Sequence, residues 1–158
     1  PSQLKEPTTK GGQTHAPETG GTKPTPTQPD LALAEEADYQ NAQYLMDNGA
    51  AAGAYASFMQ YTDTYPAGAY TADAHFLRGE AEASQEAWST AARAYLNSFS
   101  GDPNGARAPE ALLKLGLSLE KLGQRDEACL TLQQVSARFP GGGQAASAET
   151  ARQALTCP

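Results

Sequence analysis

The sequence predicts an all-α protein: three helix pairs stacked side by side into a superhelix and closed by one C-terminal capping helix. Three observations predict it. First, residues recur in register at a spacing of 37: Pro66, Pro103 and Pro140; Ala54, Ala91 and Ala128; Phe58, Tyr95 and Leu132; Tyr39, Phe76 and Leu113. Gly79 and Gly116 form a further column, with Ala42 as the small residue one period earlier. Second, apolar residues follow helical spacing, most clearly Leu112, Leu115, Leu119 and Leu122. Third, proline and glycine close the units, as in Arg138-Phe139-Pro140-Gly141-Gly142-Gly143. Several columns sharing one period of this length point to a solenoid, whose units bury their apolar faces against one another.

Residues 1–34 contrast with the rest. They hold six of the eleven prolines, many Thr, Gly and Gln, and no aromatic residue. Such a segment buries too little apolar surface to offset the entropy of ordering it. It reads as a disordered linker with polyproline character around Pro24, Pro26 and Pro29. Residues 35–158 form the repeat domain, with units at about 35–71, 72–108 and 109–144 and a cap at 145–155.

The third unit shows the logic of each pair. Ala108-Pro109-Glu110 opens a helix, because proline is tolerated in the first turn. Gly123 caps its end. A second helix starts near Asp126, turns Ala128, Leu132 and Val135 inward, and stops at Pro140, which lacks an N–H and restricts Phe139. Small residues at Gly116 and Ala128 let the two helices approach closely. The last helix, with Ala145, Ala148, Ala151, Arg152 and Leu155, covers the face that the third pair leaves open.

Charge limits the partners. The linker balances Lys5, Lys10 and Lys23 against Glu6, Glu18 and Asp30, so the formal −7 lies in residues 35–158. Residues 35–71 carry Glu35, Glu36, Asp38, Asp47 and Asp63 and neither Lys nor Arg. Phosphate binding needs a basic surface, so nucleic acid is excluded as a partner. A basic protein segment suits the acidic end, and so does a plain role in solubility. No apolar run is long enough for membrane insertion. The first residue is Pro and the first Met is Met46, so any signal peptide is expected to lie upstream.

The alternation of helices resembles the tetratricopeptide repeat: Leu112, Leu115-Gly116, Leu119, Ala128, Leu132 and Pro140 fall at its signature positions. The usual period is about 34 residues, so 37 implies longer helices or loops. Three runs narrow the resemblance. Ala74-His75-Phe76 with Gly79-Glu80-Ala81 is similar to A-H-Y-W-L-G-E-A, Ala108 to Gly116 to A-P-D-A-L-L-K-L-G, and Arg138-Phe139-Pro140-Gly141 to R-F-P-G. These runs resemble the periplasmic CpoB (YbgF) family of cell division coordinators, associated with the Tol-Pal system, over about residues 35–155. Arg78 and Glu82 depart from it, standing where that family favours Leu and an aromatic residue; four apart on one helix, they are placed to pair.

That resemblance implies a periplasmic location, with TolA and a bifunctional peptidoglycan synthase as partners. The implied role is coordination of peptidoglycan synthesis with outer-membrane constriction during division. It also implies a trimerising coiled coil upstream of the linker, and a monomer for this segment alone. A second reading stays open: an outer-membrane biogenesis lipoprotein similar to the helical-repeat component of the β-barrel assembly machine. A lipobox cysteine upstream favours that reading; upstream heptads favour the first.

Candidate site residues follow from the period. Glu36, Asp73 and Glu110 form one column on the first helices of the units, Tyr39, Phe76 and Leu113 the next, and Gln43, Glu80 and Leu117 lie one turn on. They are expected to line a concave groove, the acids steering a basic segment and the aromatic column anchoring it. Packing between helices is the other role open to Tyr39, Phe76 and Leu113. Trp88, the only tryptophan, reads as packing at the start of the fourth helix, or as an anchor on the convex side. Cys129 and Cys157 are free thiols or one disulfide. Antiparallel helices joined near Gly142 bring the two together, and closing the 27 intervening residues contributes on the order of 3 kcal/mol.

No catalytic constellation is expected, and hence no enzyme, cofactor or metal. His15 lies in the linker and His75 stands alone on a helix. Two cysteines and two histidines are too scattered for zinc, and there is no phosphate-binding loop or G-x-S-x-G turn. Glu80, Glu82 and Glu86 read as a solvated helix face.

Overall fold

The computed structural model describes residues 24–158, and the linker expected at residues 1–34 lies outside the described residues as far as position 23. The described residues form seven helices and no strand. They are α1 (Gln28–Asp47), α2 (Ala51–Thr64), α3 (Thr71–Ser84), α4 (Trp88–Gly101), α5 (Ala108–Lys121), α6 (Arg125–Arg138) and α7 (Gly143–Ala154). Each helix packs on the next, and α7 also touches α5, so three antiparallel pairs stack in order with α7 against the last.

The 37-residue period of the sequence is the period of the backbone. Helices α2 to α6 are each 14 residues long, and α2, α4 and α6 start at 51, 88 and 125. The turn within each pair carries one residue at positive φ: Gly49, Glu86 and Gly123, again one period apart. Glycine takes that conformation freely, whereas a glutamate there is strained. Each second helix ends directly before an X-Pro pair, at Tyr65, Asp102 and Phe139, whose ψ of 67°, 77° and 57° has left the helical region that a following proline disfavours.

Two expectations about helix ends need correction. Helix α1 begins at Gln28, seven residues inside the stretch expected as linker. Asp30 accepts hydrogen bonds from the Thr27 backbone N–H (3.1 Å) and hydroxyl (2.6 Å), which holds its carboxyl below the usual range. Pro29 stands in the first turn rather than in a polyproline run, and Leu31 to Glu36 are mostly strong helix formers. Within the third unit, Leu122 rather than Gly123 caps α5 and is exposed, although it continues the leucine spacing.

Close approach within pairs is visible atom by atom. A Cβ on Gly79 would lie 2.8 Å from the Tyr95 ring, and one on Gly116 2.7 Å from Leu132 Cδ2. Ala42, Ala54, Ala91 and Ala128 are fully buried, as are Phe58 and Leu132, with Tyr95 nearly so. Two continuous cores result. One joins the first unit to Ala74; the other runs from Phe76 through α4, α5 and α6 to Ala148. Ala151 and Leu155 pack against the second, which seats α7.

Cys129 and Cys157 form a disulfide, with Cα atoms 5.6 Å apart. Arg125 reinforces it by donating to the carbonyls of Leu155 and Thr156. Helix α7 offers mostly alanines to the core, so this covalent tie carries much of its attachment.

The second unit contains one polar fault. Arg78 and Glu82 pair as expected, at 3.5 Å, but Glu82 is 3% exposed and neither of its carboxylate oxygens accepts a hydrogen bond from the described residues. The reading of Glu80, Glu82 and Glu86 as one solvated face is therefore wrong: Glu82 is buried, Glu80 is half-buried and paired, and Glu86 lies in the turn. His75 shares this side of α3; its Nδ1 has no described partner, and burial holds its pKa below the usual value, with Arg78 adding to the effect. One period on, Arg78 and Glu82 become Leu115 and Leu119, both packed in the core. The double substitution Arg78→Leu, Glu82→Leu is expected to raise the unfolding free energy by about 1–3 kcal/mol. Arg78→Leu alone strands the buried carboxylate and lowers it by roughly 3 kcal/mol. Urea denaturation measures both; a double variant less stable than the parent contradicts the account.

Candidate partner-binding face

The first helices of the units, α1, α3 and α5, bring the predicted columns to one side of the stack, and the side chains interlock from unit to unit. Tyr39 donates from its hydroxyl to Asp73, 34 residues on, and accepts from Gln43 Nε2 at 3.0 Å. Asp73 also accepts from Arg107, again 34 residues on. Arg107 pairs with Glu110 at 3.7 Å and lays its guanidinium over the Phe76 ring, 4.6 Å from the centroid. One turn further, Lys114 meets Glu80 at 3.1 Å, and Glu80 accepts from the Tyr95 hydroxyl at 2.5 Å. Burial and the Glu80 carboxylate push the Tyr95 phenol far above its ordinary pKa, so it remains a donor. The result is a polar ladder tying α1 to α3 and α3 to α5.

This geometry corrects two expectations. Tyr39, Phe76 and Leu113 are buried. Tyr39 stacks on Tyr70 with centroids 4.7 Å apart, and Phe76 tilts against Tyr95 at 5.7 Å. They pack between helices and are not exposed anchors. The acidic column is not a free row either: Asp73, Glu80 and Glu110 all face cations of this chain. Glu36 is exposed and accepts only from Gln40, at 3.0 Å, among the described residues. A residue pair 34 apart is one period less one helical turn, so Arg107 and Lys114 could have been found by looking one turn before the next copy of Asp73 and Glu80.

The accessible part of the face is therefore a strip of mixed charge, Glu36, Gln43, Glu80, Arg107, Glu110 and Lys114, whose buried backing fixes each head group. Beside it lies a cavity of about 240 Å³ lined by Ala83, Trp88, Tyr95, Lys114, Leu117 and Lys121. Trp88 is the first residue of α4 and shares this recess with α5 rather than facing outward from the stack alone. Leu117 gives the recess an apolar wall. Rigid, spaced polar groups next to an apolar recess can hold a peptide segment; among the described residues no cluster of His, Cys, Asp and Glu could hold a metal ion.

Arg107 is the member that joins the most groups. Arg107→Ala is expected to lower the unfolding free energy by about 1 kcal/mol, from lost ion pairing and ring stacking at a part-exposed site, with Arg107→Lys losing less. Thermal unfolding checks the order; equal stability of all three proteins contradicts the ladder.

Comparison with known proteins agrees with this architecture. The tetratricopeptide repeat family matches residues 110–142, which span nearly all of α5 and α6. No curated protein matches the chain. The helix pairs α1–α2 and α3–α4 share the period, turns and packing of the matched pair. Residues 110–142 thus match the tetratricopeptide repeat, and the described residues form a tetratricopeptide-like superhelix of three pairs and a terminal helix, an architecture that suggests a protein-interaction scaffold.

Proposed function

We propose that this protein is a periplasmic interaction scaffold that coordinates peptidoglycan synthesis with outer-membrane constriction during cell division, through the Tol-Pal system. The interaction role has the firmest support, in the repeat architecture and the strip from Glu36 to Lys114. The division role is carried by one observation: the run Ala108-Pro109-Glu110-Ala111-Leu112-Leu113-Lys114-Leu115-Gly116, which resembles the periplasmic CpoB family and coincides with the opening of α5. The Cys129–Cys157 disulfide supports an oxidising compartment such as the periplasm. On this reading TolA and a bifunctional peptidoglycan synthase are the partners, the residues ahead of α1 act as a linker, and the chain is monomeric by itself.

The ladder suits a scaffold. Its charged groups are held by neighbours in the same chain, so little side-chain entropy is lost when a partner settles on them. The paired cations make the face recognise a segment of alternating charge rather than a purely basic one. Affinity capture with the full chain as bait tests the proposal. It is expected to retain TolA and the synthase, and Glu80→Lys combined with Lys114→Glu is expected to preserve the fold while changing affinity at least several-fold. Capture of β-barrel assembly components in place of both would favour the outer-membrane biogenesis reading and overturn this one.

A further inference from the structure

The stack has a regular way of covering the outer edge of each first helix, and at α1 no described residue provides that cover. Leu33, Ala37, Gln40 and Tyr44 lie along one stripe of α1, at helical spacings of four, three and four residues. One period on, the same stripe is Tyr70, Ala74, Leu77 and Ala81. There Ala74 is fully buried, Ala81 is nearly so, and Tyr70 and Leu77 pack against the first unit's core. In α5, Ala111 and Ser118 of the stripe are likewise buried. In α1, Leu33 is 66% exposed and Tyr44 65%, and Ala37 and Gln40 are exposed as well. Interior stripes carry small residues at the Tyr44 position, where a neighbouring helix presses close; α1 places a large aromatic side chain there instead.

The surroundings of this stripe have one sign of charge. Glu36 and Asp47 flank it along one side, both exposed. Residues 35–71 contain no Lys or Arg to balance them. Asp47 stands in the last turn of α1, at the negative end of the helix dipole, with no basic residue in that turn and no ion pair among the described residues. A carboxylate there is locally unfavourable, and a cation brought by a partner relieves it.

We infer that the outer edge of α1 docks an amphipathic helix of a protein partner, whose apolar stripe covers Leu33, Ala37 and Tyr44 and whose flanking Lys or Arg residues meet Glu36 and Asp47. The docking continues the interface by which each unit of the stack covers the next. Tyr44 and Leu33 are the anchors, and the carboxylates set orientation and the salt dependence of association. This inference rests on the scaffold reading but not on the division role. It concerns the outer edge of α1, a surface that shares only Glu36 with the strip described above.

The test uses the full chain and an 18-residue helical peptide of Leu, Ala and Lys, with leucines at positions i, i+4, i+7 and i+11 and lysines beside them. A scrambled peptide of the same composition serves as control. Amide chemical-shift mapping and titration calorimetry read the result. The ordered peptide is expected to shift resonances of residues 33–47 and to bind at least tenfold more tightly than the scrambled one. Leu33→Ser with Tyr44→Ser, both exposed and so harmless to the fold by circular dichroism, is expected to remove at least tenfold of that affinity. Asp47→Asn is expected to flatten its salt dependence. Equal binding of both peptides, shifts confined to the strip from Asp73 to Lys114, or no binding at millimolar peptide overturns the inference while leaving the scaffold reading intact. Tyr44-dependent self-association in sedimentation, or competition by a peptide of residues 1–27, overturns it too by naming a second copy or the chain's own segment as the occupant.

Discussion

Within the second and third units two helices run closer together than any side chain at Gly79 or Gly116 would permit, and the rest of the structure follows from that approach. Gly79 lies under the Tyr95 ring and Gly116 under Leu132, with no space for even a methyl group. The large residue of one helix fills the notch left on the other. That contact fixes the tilt of each pair, and the tilt repeated at a period of 37 residues places the first helices in a row. Only then do groups 34 residues apart come within hydrogen-bond distance, so the ladder of Tyr39, Asp73, Arg107, Glu80 and Lys114 is a consequence of the packing beneath it.

The units are not equal, and their differences divide the labour. The third has leucines wherever the second has Arg78 and Glu82, and a C-terminal helix bound covalently through Cys129 and Cys157. The first is rich in tyrosine and carboxylate; Tyr61 donates to Glu35 at 2.6 Å and Tyr65 to Asp38 at 2.8 Å, and burial together with the Glu35 contact raises the Tyr61 pKa while the Asp38 contact raises that of Tyr65. The strained Glu86 and the buried Glu82 both belong to the second unit. Local weakness in the middle of a repeat array, where cooperation comes only from neighbours, is where such an array yields first.

Much of this was legible in the residues. Columns of proline, small and large residues give the pairs, their order and the close contacts, because those features depend on the local chain and on a period. The Cys129–Cys157 pairing was legible as one of two options, since antiparallel helices bring the two residues together. What the period hid was whatever differs between copies. Glu80, Glu82 and Glu86 share helical spacing yet end in three environments. Tyr39 and Phe76 looked like anchors because a column shows that a position matters and not whether it faces inward. The start of α1 was missed because proline density outweighed the Thr27–Asp30 capping box. The ladder was missed because its partners stand one turn out of register with the columns.

The central claim is that one small-against-large contact per pair sets the architecture. A double-mutant cycle on Gly116 and Leu132 in urea tests it most directly. Gly116→Val collides with Leu132 and Leu132→Ala leaves a cavity, so each alone is expected to destabilise by roughly 2–4 kcal/mol. Together the valine occupies the space the leucine vacated, and the account predicts recovery of at least 1 kcal/mol relative to the sum of the single losses. Strict additivity of the two substitutions would contradict it.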